Sequence, residues 1–409
     1  MQPRSARITG WGMYAPEGVL TNEDLARLVD TSDEWIFTRT GIRERRVAAP
    51  HETAATMGAI AAKRAIATAG LEADDIDMIL LATCTPDYWL PSTAAFVKEA
   101  IGNRRAAAMD VSAACSGFVY GFATADAMVR SGMYRHVLVI GSELLTRFLD
   151  FTDRSTCILF GDGAGAVVLS ASDEPGGGML GAELTTDPEG AYFIWMPSGG
   201  SASPPSAQTV SRGEHYIRME GRETYRYATK TLASTAVTAI ERAGLTQDDI
   251  ALFVPHQANL RIIEFVARSM GIDMGRVYVN VERYGNTSAA SVPIALAEAV
   301  DSGRVQIGDN IVFVAFGAGF TSGAVVVQWT ADPANGVRAR AVVPTASVHL
   351  PADWRAAAPV PPELADILAR RNGSALAEPE VPGSSQRGAP EPAEPVRAAS
   401  GSVPPKVTA

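Results

Sequence analysis

Cysteine and positive charge are both scarce in this 409-residue chain, and each shortage removes a class of function. The three cysteines, at positions 84, 115 and 157, form neither a disulfide framework nor a metal-ligand spacing. A formal net charge of -10 argues against a general nucleic-acid binder, which needs basic surface to neutralise phosphates. No run of about 18 apolar residues occurs, so no membrane-spanning helix is expected. The first residues, MQPRSARITGWG, lack the apolar stretch of a secretory signal, and a soluble cytoplasmic protein is the expectation. What remains is globular composition, 47% hydrophobic and 20% charged, long enough for two domains or one large duplicated one.

Composition changes near residue 331. Of the 25 prolines, 13 fall between Pro333 and Ala409, among Ala, Ser, Gly and Glu with little apolar periodicity. Such a segment buries too little apolar surface to offset its ordering entropy, so 331–409 is expected to be a disordered tail. Within it, Pro361 to Arg371 reads as a short amphipathic helix, with prolines and acid early and arginines late. A docking peptide and an isolated, transient helix both fit that pattern, and the transient helix is the simpler expectation.

Residues 1–330 carry an internal repeat. The run Ala65-Ile66 to Ala69-Gly70-Leu71, followed by Asp74-Asp75-Ile76 and Met78 to Leu81, returns 174 positions later. There it reads Ala239-Ile240 to Ala243-Gly244-Leu245, Asp248-Asp249-Ile250 and Leu252-Phe253-Val254. Val137 to Ile140 falls on Ile311 to Val314 at the same offset. Each unit reads as amphipathic helix, Gly-Leu stop, acidic turn and buried strand. The period is too long for a solenoid and implies two α/β halves, expected at 1–174 and 175–330.

Three side chains stand out for chemistry. Cys115, in Ala113-Ala114-Cys115-Ser116-Gly117, precedes an apolar helix and has small neighbours that leave room for a substrate. The positive end of that helix is expected to lower its pKa from about 8.5. A small buried hydrophobe is the commoner fate of a free cysteine. Cys84 and Cys157 read as core packing. His256 ends a strand of the second half, where α/β sheets present site residues, although a histidine capping a sheet edge would look the same. Asn286 lies in Gly285-Asn286-Thr287-Ser288, a turn feeding an apolar helix, where an ordinary N-cap is the alternative. Cys115 falls on Ala289 at the repeat offset, so symmetry places Cys115 and Asn286 in one cavity. Gly161-Asp162-Gly163-Ala164-Gly165 is followed by a strand pattern and not a helix, which excludes a dinucleotide fingerprint. A second glycine turn, Gly317-Ala318-Gly319, suits close backbone approach to a substrate.

In these motifs the chain resembles the β-ketoacyl-acyl-carrier-protein synthase III family over nearly all of residues 5–330. The resemblance is carried by Thr31-Ser32-Asp33-Glu34-Trp35-Ile36, Thr38-Arg39-Thr40-Gly41-Ile42, Ala114-Cys115-Ser116-Gly117 and Phe160-Gly161-Asp162-Gly163-Ala164. His256-Gln257-Ala258-Asn259 and Gly285-Asn286-Thr287-Ser288 complete it. It implies a five-layer αβαβα thiolase-like fold, a homodimer, and an acyltransferase that starts fatty acid synthesis by decarboxylative Claisen condensation. Acyl-CoA would load Cys115, and malonyl-acyl-carrier protein would condense with the acyl group. His256 and Asn286 would donate to the malonyl thioester oxygen, and the backbone N–H groups of Cys115 and Ala318 to the second oxyanion. No metal, nucleotide or flavin cofactor is implied. The same resemblance gives CoA contacts to Trp35, Arg39 and Arg154, carrier-protein docking to Arg226, Arg261 and Arg268, and closure of the partner's acyl pocket to Leu90.

The chain also departs from the family pattern: Ser322 replaces a tryptophan that many members carry, and the tail is additional. Counting removes some relatives on the same fold. No cysteine follows Cys157 to serve a thiolase, and only His349, in the tail, follows His256 to serve an elongating Cys-His-His synthase. The long Gly-Phe-Gly-Pro-Gly signature of plant-type polyketide synthases is missing near residue 317. Two alternatives stay open: a polyketide-starter synthase, or an acyltransferase that delivers to a hydroxyl or amine without condensation. A non-catalytic scaffold displaying its tail is the third, and retention of all three catalytic residue types argues against it.

Overall fold

The computed structural model describes residues 5–336 and 361–372. Its apolar strands alternate strictly, and that alternation generates layers. Leu80, Val137, Val139, Val167 and Leu169 face one side of a sheet, whereas Ile79, Leu81, Leu138, Ile140 and Val168 face the other. Both faces must therefore be covered.

The first sheet has five strands, in the order Ser5–Tyr14, Asp162–Ser172, His136–Leu144, Met78–Ala82 and Ala107–Val111. The last three run parallel and the first two pair antiparallel. The second sheet has four, in the order Leu252–Pro255, Asn310–Gly317, Thr321–Gln328 and Gly178–Thr186, with its first pair parallel. A fifth position is marked only by a single parallel bridge between Phe253 and Val277.

Ile311, Phe313 and Val325 turn toward the inner faces of the first sheet's strands. Between the sheets lie two helices, Gly117–Arg130 and Ser291–Asp301, whose starts are 174 positions apart. Phe118 and Phe122 of the first helix meet Phe313 of the second sheet edge-on at 6.4 and 5.7 Å. Helix Ala54–Thr68 covers the outer face of the first sheet, and helices Gly221–Arg242 and Leu260–Ser269 that of the second. Five layers result, helix and sheet alternating. Among the described residues, no helix is long and apolar enough to cross a membrane.

The tail holds a correction. Pro362–Asn372 is a helix docked on the body and not an isolated one. Leu364, Ile367 and Leu368, at the i, i+3, i+4 spacing of one face, are buried in a cluster with Leu20, Leu25 and Ile36. Leu368 lies against Gly18, in the strand Gly18–Thr21, where an added Cβ would stand 3.7 Å from its Cδ2. The rest of the expected disordered tail, 337–360 and 373–409, lies outside the described residues.

Fully burying a leucine or isoleucine contributes about 1.5–3 kcal/mol. Introducing carboxylates as Leu364→Asp and Leu368→Asp should release this helix and leave the five layers standing. Limited proteolysis should then cut within 361–372, while the melting temperature of the body moves by less than ~5 °C.

Candidate active site

Cys115 sits on a single 3-10 turn, Ala114–Ser116, immediately before the buried helix Gly117–Arg130. The equivalent turn of the second half is Ser288–Ala290, and the two turns pack against each other. Each opens on a residue with positive φ, 46° at Ala114 and 47° at Ser288. That conformation is uncommon for a residue with a side chain. It aims the following backbone at the partner turn.

Gly317 shows how close the approach is. A Cβ there would lie 2.5 Å from the Cys115 nitrogen and 3.1 Å from Ser116 N. Only glycine lets the strand end pass the Cys115 amide, and Ala318 follows directly.

Three hydrogen-bonding groups surround the nucleophile. The Ser288 hydroxyl lies near enough to the Cys115 sulfur to lower its pKa and stands 3.7 Å from Cys84 Sγ. Glu143, fully buried, accepts from Thr83 Oγ1 at 3.1 Å, Thr85 Oγ1 at 2.7 Å and the Cys84 amide at 3.1 Å. Cys84 Sγ donates to the same carboxylate at 3.3 Å. Cys84 therefore borders the site rather than serving as plain core packing. Cys157 is buried in an apolar cluster, as core packing requires.

Burial pushes the Cys115 thiol up to about 12, with the Ser288 hydroxyl acting the other way and Glu143 adding to the rise. The lowered pKa expected from the helix start is not what this environment produces, because desolvation outweighs it. Burial acts on His256 in the opposite sense and takes it down to about 3, so its imidazole is neutral.

His256 follows the strand Leu252–Pro255, and its Nδ1 lies 2.6 Å from Ser291 Oγ, the first residue of the central helix. Gln257 is a buttress: its Nε2 donates to Pro255 O and Tyr278 O, and its Oε1 accepts from the amides of Asn280 and Val281. Asn259 caps helix Leu260–Ser269 by accepting from Arg261 N, and its Nδ2 donates to Arg39 O at 3.1 Å. The His-Gln-Ala-Asn run thus ties the site to the helix Asp33–Thr40.

Asn286 is clamped by Leu159 and Gly161, where the chain enters the glycine-rich segment 160–165. Its amide donates to Leu159 O at 2.8 Å, and its carbonyl accepts from Gly161 N at 3.0 Å. Asn286 Oδ1 accepts from Ser288 N at 2.8 Å, which leaves the Nδ2 hydrogens for another acceptor. Asp162 continues into a strand, and its buried carboxylate holds Ala48 N and Thr146. This glycine run is a positioning element.

One short segment, 286–291, therefore contains Asn286, touches Cys115 through Ser288 and holds His256 through Ser291. Ser288, Ser291 and Glu143 escape a reading of the sequence because serine and glutamate at such spacings carry no distinctive pattern.

The more peripheral residues are spread around the body. The guanidinium carbons of Arg39 and Arg154 lie 4.3 and 4.6 Å from the Trp35 ring centroid. Arg226, Arg261 and Arg268 are all exposed on two packed helices, Arg226 paired with Glu223 at 2.9 Å and Arg261 over Tyr225. Leu90 is 87% exposed, beside Trp89 at 77% and Tyr88 at 50%. Ser322 is buried, where its hydroxyl joins Thr185 Oγ1 at 2.7 Å and Thr235 Oγ1 at 3.1 Å. A small polar cluster thus fills this position.

A paired-layer fold with a part-buried cysteine, a neutral histidine and an asparagine at the meeting of its halves defines a thiolase-like acyl-transferring enzyme. Family models for 3-oxoacyl-[acyl-carrier-protein] synthase III match residues 109–188 and, for its C-terminal part, 240–329. The β-ketoacyl-[acyl-carrier-protein] synthase III of Roseiflexus sp. strain RS-1 is 53% identical over 326 residues, which is 80% of this chain and 99% of that one. The crystal structure of the synthase III of Aquifex aeolicus is 43% identical, with a TM-score of 0.73 over 79% of this chain and all of that one. The priming β-ketosynthase of a polyketide biosynthetic pathway is 37% identical, with a TM-score of 0.75 over 81% of this chain and 98% of that one. The chain belongs to the 3-oxoacyl-[acyl-carrier-protein] synthase III family, whose members are acyltransferases.

The raised thiol pKa has a measurable sign. Alkylation of Cys115 by iodoacetamide, followed by mass spectrometry, should rise about tenfold per pH unit from pH 7 to pH 10, because only the thiolate reacts. A plateau below pH 9 would show that the helix start, and not burial, controls this sulfur.

Proposed function

We propose that this chain begins acyl chains by loading an acyl group from CoA onto Cys115 and condensing it with malonyl-acyl-carrier protein. The observation that supports this reading is the convergence of Cys115, His256 and Asn286 on segment 286–291. In the first half-reaction the Cys115 sulfur attacks the thioester carbonyl, and CoA leaves as its thiol with the proton that Cys115 gives up. A thiol held near pKa 12 loses that proton with the attack and not before it. The amides of Cys115 and Ala318 would hold the oxygen of the tetrahedral intermediate.

In the second half-reaction, breaking the malonyl C–C bond releases CO2 and leaves an electron pair that becomes an enolate. A neutral His256 and the Asn286 amide would donate to the enolate oxygen. The enolate carbon attacks the acyl carbonyl, the tetrahedral intermediate breaks its C–S bond to expel the Cys115 thiolate, the β-ketoacyl-carrier protein departs, and the thiolate takes a proton from solvent. Uncharged donors suit this step, since an imidazolium buried here would cost desolvation energy.

The mouth of the site follows from the same reading. Adenine would stack on Trp35 by taking the place of one of its two guanidinium neighbours, and Arg39 would meet CoA phosphates. Arg226, Arg261 and Arg268 would steer an acidic carrier protein toward a chain of net charge -10. The exposed Tyr88-Trp89-Leu90 run would be covered in a homodimer, with Leu90 closing the partner's acyl pocket.

Intact-protein mass spectrometry with acetyl-, isobutyryl- and octanoyl-CoA, chased by malonyl-carrier protein, tests the whole sequence. An adduct on Cys115 should form and then vanish with CO2 and a β-ketoacyl product, and the accepted acyl group names the primer. Cys115→Ser should give no adduct. Asn286→Ala should keep the adduct and lose condensation by about 10²–10³-fold. Equal loss of both steps in Asn286→Ala would sink the division of roles, and an adduct that survives the chase would favour delivery to a hydroxyl or amine.

A further inference from the structure

Ser291 belongs to no assigned part of the site, yet it is buried and holds the shortest hydrogen bond made by His256. The direction of that bond follows from its surroundings. Gln257 N–H donates to Ser291 Oγ at 3.3 Å. Gln257 itself has little freedom, because both ends of its side-chain amide are bonded to backbone groups.

Ser291 Oγ has one hydrogen to give, and among the described residues its acceptor is His256 Nδ1, at 2.6 Å. If the imidazole instead donated from Nδ1, the oxygen would receive two donors and its own hydrogen would be stranded in a buried place. Leaving a buried donor unpaired costs about 1–3 kcal/mol. A neutral imidazole carries a single N–H, so an accepting Nδ1 puts the proton on Nε2.

We infer that Ser291 is a positioning residue that fixes His256 as the Nε2–H tautomer and aims that N–H at the substrate oxygen. Two further features of Ser291 support it. It is the first residue of helix Ser291–Asp301, whose positive end disfavours a second proton on the ring. It also stands three residues from Ser288, so the segment that meets Cys115 also sets the histidine. The inference rests on the reading of His256 as a donor in condensation.

The test uses the full-length protein with labelled histidine, and compares wild type with Ser291→Ala, Ser291→Thr and His256→Ala. Ring-nitrogen chemical shifts report the tautomer directly. Wild type should show Nε2–H with an accepting Nδ1, Ser291→Ala should lose that pattern, and Ser291→Thr should restore it. Condensation should fall ~10–100-fold in Ser291→Ala, with acyl loading of Cys115 held within about twofold, and Ser291→Thr should recover it.

An Nδ1–H ring in wild type overturns the inference, and needs no variant to fold. So does a Ser291→Ala enzyme that condenses at the wild-type rate while His256→Ala does not. If Ser291→Ala shifts the tautomer but neither it nor His256→Ala slows condensation, the positioning stands and the donor role of His256 falls.

Discussion

Everything at the centre of this protein depends on two 3-10 turns being pressed together where its duplicated halves meet. The turns Ala114–Ser116 and Ser288–Ala290 occupy equivalent places in the two halves, and each begins with a left-handed residue. Side chains on the strands that pass them would keep such turns from seating. Glycine at 141 and 317 removes the obstruction, since a Cβ at either would collide with the backbone of Ala289 or of Cys115. The inner apolar faces of both sheets and the two central helices then hold the junction in place.

The halves use that junction differently. Position 317 of the second half corresponds to position 143 of the first, and the residues there are glycine and glutamate. Glu143 sends a carboxylate toward the Ala289 amide, at 3.4 Å, and accepts from Thr83, Cys84 and Thr85 as well. Gly317 sends nothing toward the Cys115 amide. One half thus fills with its own carboxyl group the place that the other keeps clear of side chains beside its nucleophile. Duplication supplied the geometry twice, and a single exchange of glycine for a carboxylate distinguishes the two copies.

Much of this was legible in the amino-acid order. The 174-residue offset, the apolar alternation and the Cys, His and Asn motifs point to a paired-layer fold with its site at the seam. Local pattern does not reveal magnitudes set by depth. The helix start beneath Cys115 argues for a low pKa, whereas burial raises it, and the side chains that act on the sulfur besides burial, Ser288 and Glu143, are distant in sequence. Cys84 looks like core for the same reason: its carboxylate partner lies 59 positions away. Leu364 and Leu368 carry an ordinary amphipathic spacing, and nothing local tells a transient helix from one with a groove waiting in the first half.

The two reacting side chains carry no charge at rest, which suits a reaction whose charges appear only in passing. In the interior the thiol is held protonated and the imidazole neutral by the same desolvation, so the reacting groups carry no standing charge. Arginines gather instead at the surface, two around Trp35 and three on the helices beyond it. An enolate or a tetrahedral oxyanion formed inside would meet preset N–H dipoles rather than a mobile counter-ion, and little reorganisation would be needed. A standing cation beside the sulfur would hold a carboxylate in its ionised ground state as firmly as the enolate that follows loss of CO2. Neutral donors avoid that symmetry, because their pull on an oxygen grows as negative charge accumulates there.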